Sequence, residues 1–246
     1  MRATRKADRV ADDLLRQIVA GVVDVGSLLP KEAELAERYG VNRSVVREAI
    51  KLLEAHRLVR PIRRRGTEVL DPMASLSPEV LTAMLHPGAG QIDREVLRDF
   101  LEIRASLDVQ MSGLVAARRT EEDLAGFDSL LARAADSLHD REGYDALNND
   151  IARAFARATH NRIFEMLVWW NQEVASSMPE IFSTVRPANE PHLAALTLLI
   201  DLFRRQEVEQ VKTLVTAFHA WATPRILAAA GLRAGAPIDE LNWGDR

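Results

Sequence analysis

Apolar positions recur at helical spacing along nearly the whole chain, and the places where that spacing breaks divide it into elements. Val10, Leu14, Leu15, Ile18 and Val19 lie on one stripe and predict a helix from about Lys6 to Ala20, stopped at Gly21. Leu35 and Ala36 supply the inward face of a second helix. Pro30 suits its first position, where a missing N–H leaves no bond unmade. This helix is expected to end at Tyr39-Gly40, because glycine can take the left-handed conformation that a sharp turn needs. Asn42 is a fitting N-cap for a third helix that buries Val46, Ala49, Ile50 and Leu53. Arg43, Ser44 and Arg47 then lie on or near its opposite face. The period next becomes extended. Leu58–Ile62 and Thr67–Leu70 read as two strands joined by Arg63-Arg64-Arg65-Gly66, with Pro61 confining its strand to an edge.

Residues 71–92 are punctuated by Pro72, Pro78, Pro87, Gly88 and Gly90, and read as a linker holding one short helix near Glu79–Leu85. From Asp93 a long stripe (Val96, Leu97, Phe100, Leu101, Ile103, Leu107, Met111, Leu114, Val115) runs to Arg118. Thr120 to Asp123 resembles a capping box opening a helix to about Leu138. Further helices are predicted near 144–158, 161–178, 189–205 and 207–229, and the tail from Ala234 reads as loose. The predicted fold class is mainly α: an N-terminal winged helix-turn-helix with a two-stranded wing over 1–72, the linker over 73–92, an all-α helical bundle over 93–232 for ligand binding and dimerisation, and a tail over 233–246.

Composition agrees with this pattern. Hydrophobic residues make up 47% of the 246 and aromatics only 5%, and Ala, Leu, Glu and Arg dominate. The absence of cysteine excludes disulfides, cysteine-based zinc sites and thiol nucleophiles. No apolar run approaches the roughly 18 residues a membrane span requires, and the basic N-terminus lacks a signal-peptide segment, so a cytoplasmic protein without a membrane partner is expected. The net charge of −4 conceals an asymmetry: residues 1–70 hold 15 Lys/Arg against 10 Asp/Glu, the remainder 17 against 26. A basic unit fused to an acidic body suggests that one end meets a polyanion.

Three segments carry a family resemblance: LLRQIVAG, LLPKEAELAERYGVNRSVVREAIKLLE and RLVRPIRRRGTEVL. On them the chain resembles bacterial transcription regulators of the GntR family. The segments FLEIRASLDVQMSGLVAARRT and LNNDIARAFARATHNRIFEML look like the helical ligand domain (FadR-C/FCD type) of its FadR subfamily. The resemblance implies a homodimer on a short palindromic DNA operator, each recognition helix in a major groove and each wing at the neighbouring minor groove. By match to the motif, DNA contact falls on Asn42, Arg43, Ser44 and Arg47, with the wing tip at Arg63, Arg64 and Gly66. The chemistry suits these positions, since arginine bonds guanine O6 and N7 in bidentate fashion and small polar groups at a helix start reach phosphate or a base edge. Two departures stand out. Ala33 occupies a position where these proteins often carry arginine, and Arg64 one where the wing often carries a second glycine.

Many ligand domains of this subfamily hold a divalent metal through an Asp or Asn and three histidines. Carried over from the A-T-x-N segment ending at Asn161, those positions fall at Asn148, Ala152, Leu196 and Phe218. Only Asn148 offers a donor there. His192 and His219 lie nearby but off register, four residues and one residue away. No metal is therefore expected, and a site whose ligands have become hydrocarbon should take a more apolar effector. The subfamily's metal-free branch senses fatty acyl-CoA, and that branch is favoured. Arg104, matching an arginine that points into the ligand domain, either holds an anionic group or pairs with Glu102, Asp108 or another acid. Trp169, Trp170 and Trp221 either line the cavity or fill the core. The expected function is an effector-responsive operator-binding regulator, not an enzyme. A metal- and carboxylate-responsive regulator is the alternative. An architectural DNA-binder whose bundle only dimerises is a further reading. An enzyme using His160, His192 or His219 as base finds no nucleophile motif, phosphate loop or carboxylate pair to support it.

Overall fold

A computed structural model describes residues 6–88, 90–185 and 189–233, with backbone alone at 183–185 and 232–233. The chain divides into two compact units between Asp93 and Arg94. The predicted tail from Ala234 lies outside the described residues.

The first unit contains α1 (Lys6–Val19), α2 (Glu32–Arg38), α3 (Arg43–Ala55), β1 (Val59–Ile62), β2 (Gly66–Val69) and α4 (Pro78–Leu85). Its core is the expected stripe: Val10, Leu14 and Ile18 of α1 meet Leu35 of α2 and Val46, Ala49 and Leu53 of α3. β1 and β2 pair antiparallel, Val59 opposite Val69 and Ile62 opposite Gly66. A further segment joins the wing. Gly26 donates to the Val69 carbonyl and Leu29 to the Thr67 carbonyl, both at 2.8 Å, so β2 is flanked on both sides and β1, with Pro61, is the edge. Gly26-Ser27-Leu28-Leu29 carries no apolar–polar alternation that would have signalled this.

Two local readings change. α2 begins at Glu32, two residues after Pro30, with Lys31 as its N-cap, and the Glu34 carboxylate accepts from the Lys31 N–H at 3.3 Å. The helix in the proline-punctuated stretch after the wing is not free-standing. Val80 and Ala83 of α4 are buried in the same core as α1, and Ser77 caps α4 through the Val80 N–H.

The second unit comprises seven helices among the described residues: α5 (Arg94–Arg118), α6 (Glu121–Asp136), α7 (Arg141–Ala158), α8 (Arg162–Ser176), α9 (Pro179–Val185), α10 (Asn189–Arg204) and α11 (Val208–Arg233). The short α9 was not anticipated. α5 runs along α11, and α7 packs between α6 and α8. The core gathers Phe127, Phe155 and Phe203, whose ring centroids lie 5.0 to 6.0 Å apart. Helix ends are closed by side chains. Arg119 donates to the Phe203 and Arg204 carbonyls at 3.2 and 2.6 Å, supplying partners and positive charge at the end of α10. Thr120 and Asp123 form the predicted capping box. Burial alone would push the Asp123 carboxyl up. Hydrogen bonds from the Thr120 N–H and hydroxyl, together with His160 at 3.1 Å, hold it below its ordinary value. His160 is thereby committed to a helix cap.

Candidate DNA-reading face and ligand cavity

The geometry of α2 and α3 follows from their turn. Gly40 has φ +60° and the Val41 N–H reaches back to the Ala36 carbonyl, so the chain reverses within three residues. The pair is moored to α1 by Tyr39, whose hydroxyl donates to Asp13 at 2.5 Å and accepts from Gln17 at 3.2 Å. Burial first, then the neighbouring Asp13 carboxylate, push this phenol up to about 12.

At the start of α3, the Asn42 Oδ1 accepts from the Val45 N–H at 3.0 Å and from the Ser44 hydroxyl at 2.7 Å. The cap therefore uses the oxygen of Asn42 and the proton of Ser44, and leaves the Asn42 amide N–H groups available. Arg43 and Arg47 lie four residues apart and exposed on the face opposite Val46, Ala49 and Leu53. They differ in one respect. Arg43 has no ion-pair partner among the described residues, whereas the Arg47 Nε donates to Glu32 at 2.7 Å.

The wing turn projects Arg63, Arg64 and Arg65, all exposed and without an ion pair among the described residues. Arg64, standing where the family often has glycine, takes φ +61° itself, so the turn is preserved. Such a backbone costs a non-glycine residue roughly 1–2 kcal/mol. Gly66 has a different role from its arginine neighbours. It opens β2 at φ +130°, a conformation reserved for glycine, with the Leu28 side chain 3.7 Å from where a Cβ would stand.

The second unit holds a cavity of about 510 Å³. Of the expected ligand residues, Arg104, Asn148, Ala152 and Phe218 line it. Leu196 does not: it faces the core with Ile200 and Phe203. Trp169 does not either. It is 58% exposed, with the Arg153 guanidinium 4.6 Å above its ring, while its neighbour Trp170 packs on Phe100. The cavity instead includes His192, His219 and Trp221, the two histidines being the ones that stood off register.

The wall mixes apolar side chains with polar ones, Asp145, Asn148, Asn149, Asn171 and Gln172 among them, and two further polar groupings stand out. Asp108 lies between the Arg104 Nε at 3.7 Å and the His219 Nε2 at 3.1 Å, and the Arg104 guanidinium rests 5.1 Å from the centre of the Phe182 ring. Of the two readings of Arg104, the ion pair is present, with Asp108, and the side chain also lines the cavity. His192, also in the lining, has its Nδ1 3.0 Å from the hydroxyl of the buried Tyr144. Leu107, Met111, Phe164, Ala222 and Ile226 supply hydrocarbon between. Of the four positions carried over for a metal, Ala152 and Phe218 offer no ligand atom and Leu196 lies away from the cavity, so Asn148 alone places a donor there, and no group of three His, Asp or Glu side chains that could hold an ion is found among the described residues.

These features define a winged-helix DNA-binding unit followed in sequence by a helical unit with a ligand cavity. The family model for bacterial regulatory proteins of the gntR family matches residues 6–69, and that for the FCD domain matches residues 99–219. The mycobacterial HTH-type transcriptional regulator Mce2R (Mycobacterium tuberculosis) is 30% identical over 194 residues, 77% of this chain and 72% of its own length. The Galactonate operon transcriptional repressor of Escherichia coli K12 is 26% identical over 227 residues, covering 90% of this chain and 96% of the repressor. An uncharacterized HTH-type regulator of M. tuberculosis, Rv0494, is 32% identical over 168 residues, 68% of this chain and 66% of that protein. Among solved structures, Lar of Listeria monocytogenes superposes with a TM-score of 0.58 at 16% identity, covering 94% of this chain and 98% of that one, which shows the shared fold. The chain belongs to the GntR family. It is a DNA-binding transcriptional regulator with an FCD ligand-binding domain, and not an enzyme. No helix among the described residues is long and apolar enough to cross a membrane.

Proposed function

We propose that this chain is a cytoplasmic, homodimeric operator-binding regulator whose effector is an apolar acid or a fatty acyl-CoA, the latter as in the metal-free branch of the FadR subfamily. The observation that carries the reading is the joining, in one cavity, of a guanidinium at Arg104 to the hydrocarbon wall of Leu107, Met111, Phe164 and Ile226. An acid group meets the Arg104–His219 side and its chain lies along the wall, in a volume within the usual range for small-molecule sites. The acid competes with Asp108 for Arg104, so its binding rearranges contacts between α5, which carries Arg104 and Asp108, and α11, which carries His219. Effector binding favours the arrangement with weaker operator affinity, with a coupling of about 1–3 kcal/mol, or 5- to 150-fold.

A second reading rests on the polar members of the lining (Asn148, Asn149, Asn171, Gln172) and on the likeness to the Galactonate operon transcriptional repressor: a hydroxylated acid takes the same cavity. Titrating the protein–operator complex with a long-chain acyl-CoA, a free fatty acid and a sugar acid separates the two. The first reading expects release by an apolar acid or its CoA ester, and no release from the Arg104→Ala variant. Release by the sugar acid alone installs the second, and no response to any of the three removes both.

In the DNA-reading half, Asn42, Arg43, Ser44 and Arg47 meet the major groove of a palindromic half-site and Arg63 and Arg64 meet the flanking backbone or minor groove. The wing offers a direct check. Arg64→Gly relieves the left-handed strain while deleting one cation. Its melting temperature stays level or rises, and its operator affinity falls with a salt slope flatter by about 0.9, the contribution of one neutralised phosphate. An unchanged slope would place Arg64 off the DNA.

A further inference from the structure

Arg43 and Arg47 occupy equivalent places one turn apart on α3, yet only one of them is held. Glu32, at the start of α2, takes the Nε–H of Arg47 at 2.7 Å; Glu32 is 37% and Arg47 63% exposed. The bond engages Nε, and no hydrogen bond or ion pair of the two Nη nitrogens is found among the described residues. A free arginine side chain must surrender about 2 kcal/mol of rotamer freedom to dock as a fork. One whose Nε is already bonded has surrendered part of it beforehand, and the two outer N–H groups match guanine O6 and N7. The same carboxylate sits among the basic groups that would meet DNA and repels any phosphate that approaches Arg47 in a wrong register. Ala33, next in sequence, adds no cation to offset it.

We propose that Glu32 is a specificity-determining positioning residue: it aims Arg47 at one guanine per half-site and lowers affinity for non-cognate duplex. The inference rests on α3 being the helix that enters DNA.

The test uses the full chain. A sequence is first selected from a random duplex library by the unaltered protein. Wild type, Glu32→Ala, Glu32→Gln, Arg47→Ala and the Glu32→Ala/Arg47→Ala pair are then measured on that sequence, on its single-base variants and on a scrambled duplex, at two salt concentrations. Glu32→Ala is expected to bind scrambled duplex more tightly and to lose about tenfold in the ratio of selected to scrambled affinity, the loss concentrated at the base position that Arg47→Ala also relaxes. The double variant discriminates no worse there than Arg47→Ala alone. Glu32→Gln keeps an acceptor for Nε without the charge, so it retains the guanine preference while gaining scrambled-duplex affinity. Glu32→Ala with unchanged discrimination, or relaxing a position that Arg47→Ala leaves intact, overturns the proposal while sequence-selective binding by the wild type keeps the DNA-binding assignment standing. A wild type that selects no sequence overturns both. Circular dichroism melts of the variants identify a loss of binding that comes from unfolding.

Discussion

Asn42→Asp is expected to abolish operator binding and leave the winged helix folded. The Asn42 Oδ1 is the acceptor that caps α3, taking the Val45 N–H and the Ser44 hydroxyl. Aspartate offers the same acceptor, ranks equally as an N-cap, and adds a charge that the helix start favours by about 0.3–1 kcal/mol. The fold therefore keeps or gains stability. The DNA side is affected in the opposite direction. The amide N–H groups left over by the cap, the only side-chain donors Asn42 can offer a phosphate, are removed, and a carboxylate is brought against the phosphate chain. Juxtaposed like charges cost several kcal/mol, so a loss on the order of 100-fold or more is expected. Fluorescence anisotropy on an operator fragment at fixed salt, beside a thermal melt, reads both terms. Near-wild-type affinity would remove Asn42 from the interface. Asn42→Ala serves as the companion, because it loses the cap and about 1 kcal/mol of stability and thus separates capping from contact.

The readable and unreadable parts of this chain differ in range. α1 and α3 were legible because their buried residues recur every three or four positions, and the turn between α2 and α3 because one glycine at the right place is a local requirement met at φ +60°. The pairing of residues 26–29 with β2 was not legible, since a strand added beside a hairpin requires no period of its own. α4 was placed correctly, but its prolines gave no indication that Val80 and Ala83 reach the core of the first unit. The cavity shows the same limit. Carrying family positions onto Leu196 and Phe218 gives the right helices, yet which residues face the space depends on how α10 and α11 are rotated. His192 and Leu196 are one turn apart on one face and still meet different surroundings, the cavity and the core. His219 follows Phe218 by about 100° around α11, and the cavity is wide enough to take both. Trp169 and Trp170 reverse this, the first exposed and the second packed on Phe100. The helical period locates faces, and only packing assigns each face its neighbour.

That dependence of the cavity on packing gives the second large effect. Phe155→Ala is expected to destabilise the second unit by about 3–5 kcal/mol. The Phe155 ring meets Phe127 and Phe203 edge-on, at centroid distances of 5.0 and 5.1 Å and interplanar angles of 88° and 87°, so its removal breaks two aromatic pairs and opens a void between α6, α7 and α10. A loss of that size is a large share of the 5–15 kcal/mol that typically holds a domain together. It also reaches the ligand site, because Asn148 and Ala152, which line the cavity, share one i, i+3, i+4, i+7 stripe of α7 with Ile151 and Phe155, which are buried in the core. The first unit should be spared, since its core is built only from residues of that unit. Amide hydrogen exchange resolved along the chain tests the claim: protection should fall across 94–233 and persist across 6–85, and Phe155→Leu, which refills much of the volume, should recover most of it. Equal loss of protection in both regions would show that the phenylalanine cluster stabilises more than the helical unit it is packed in.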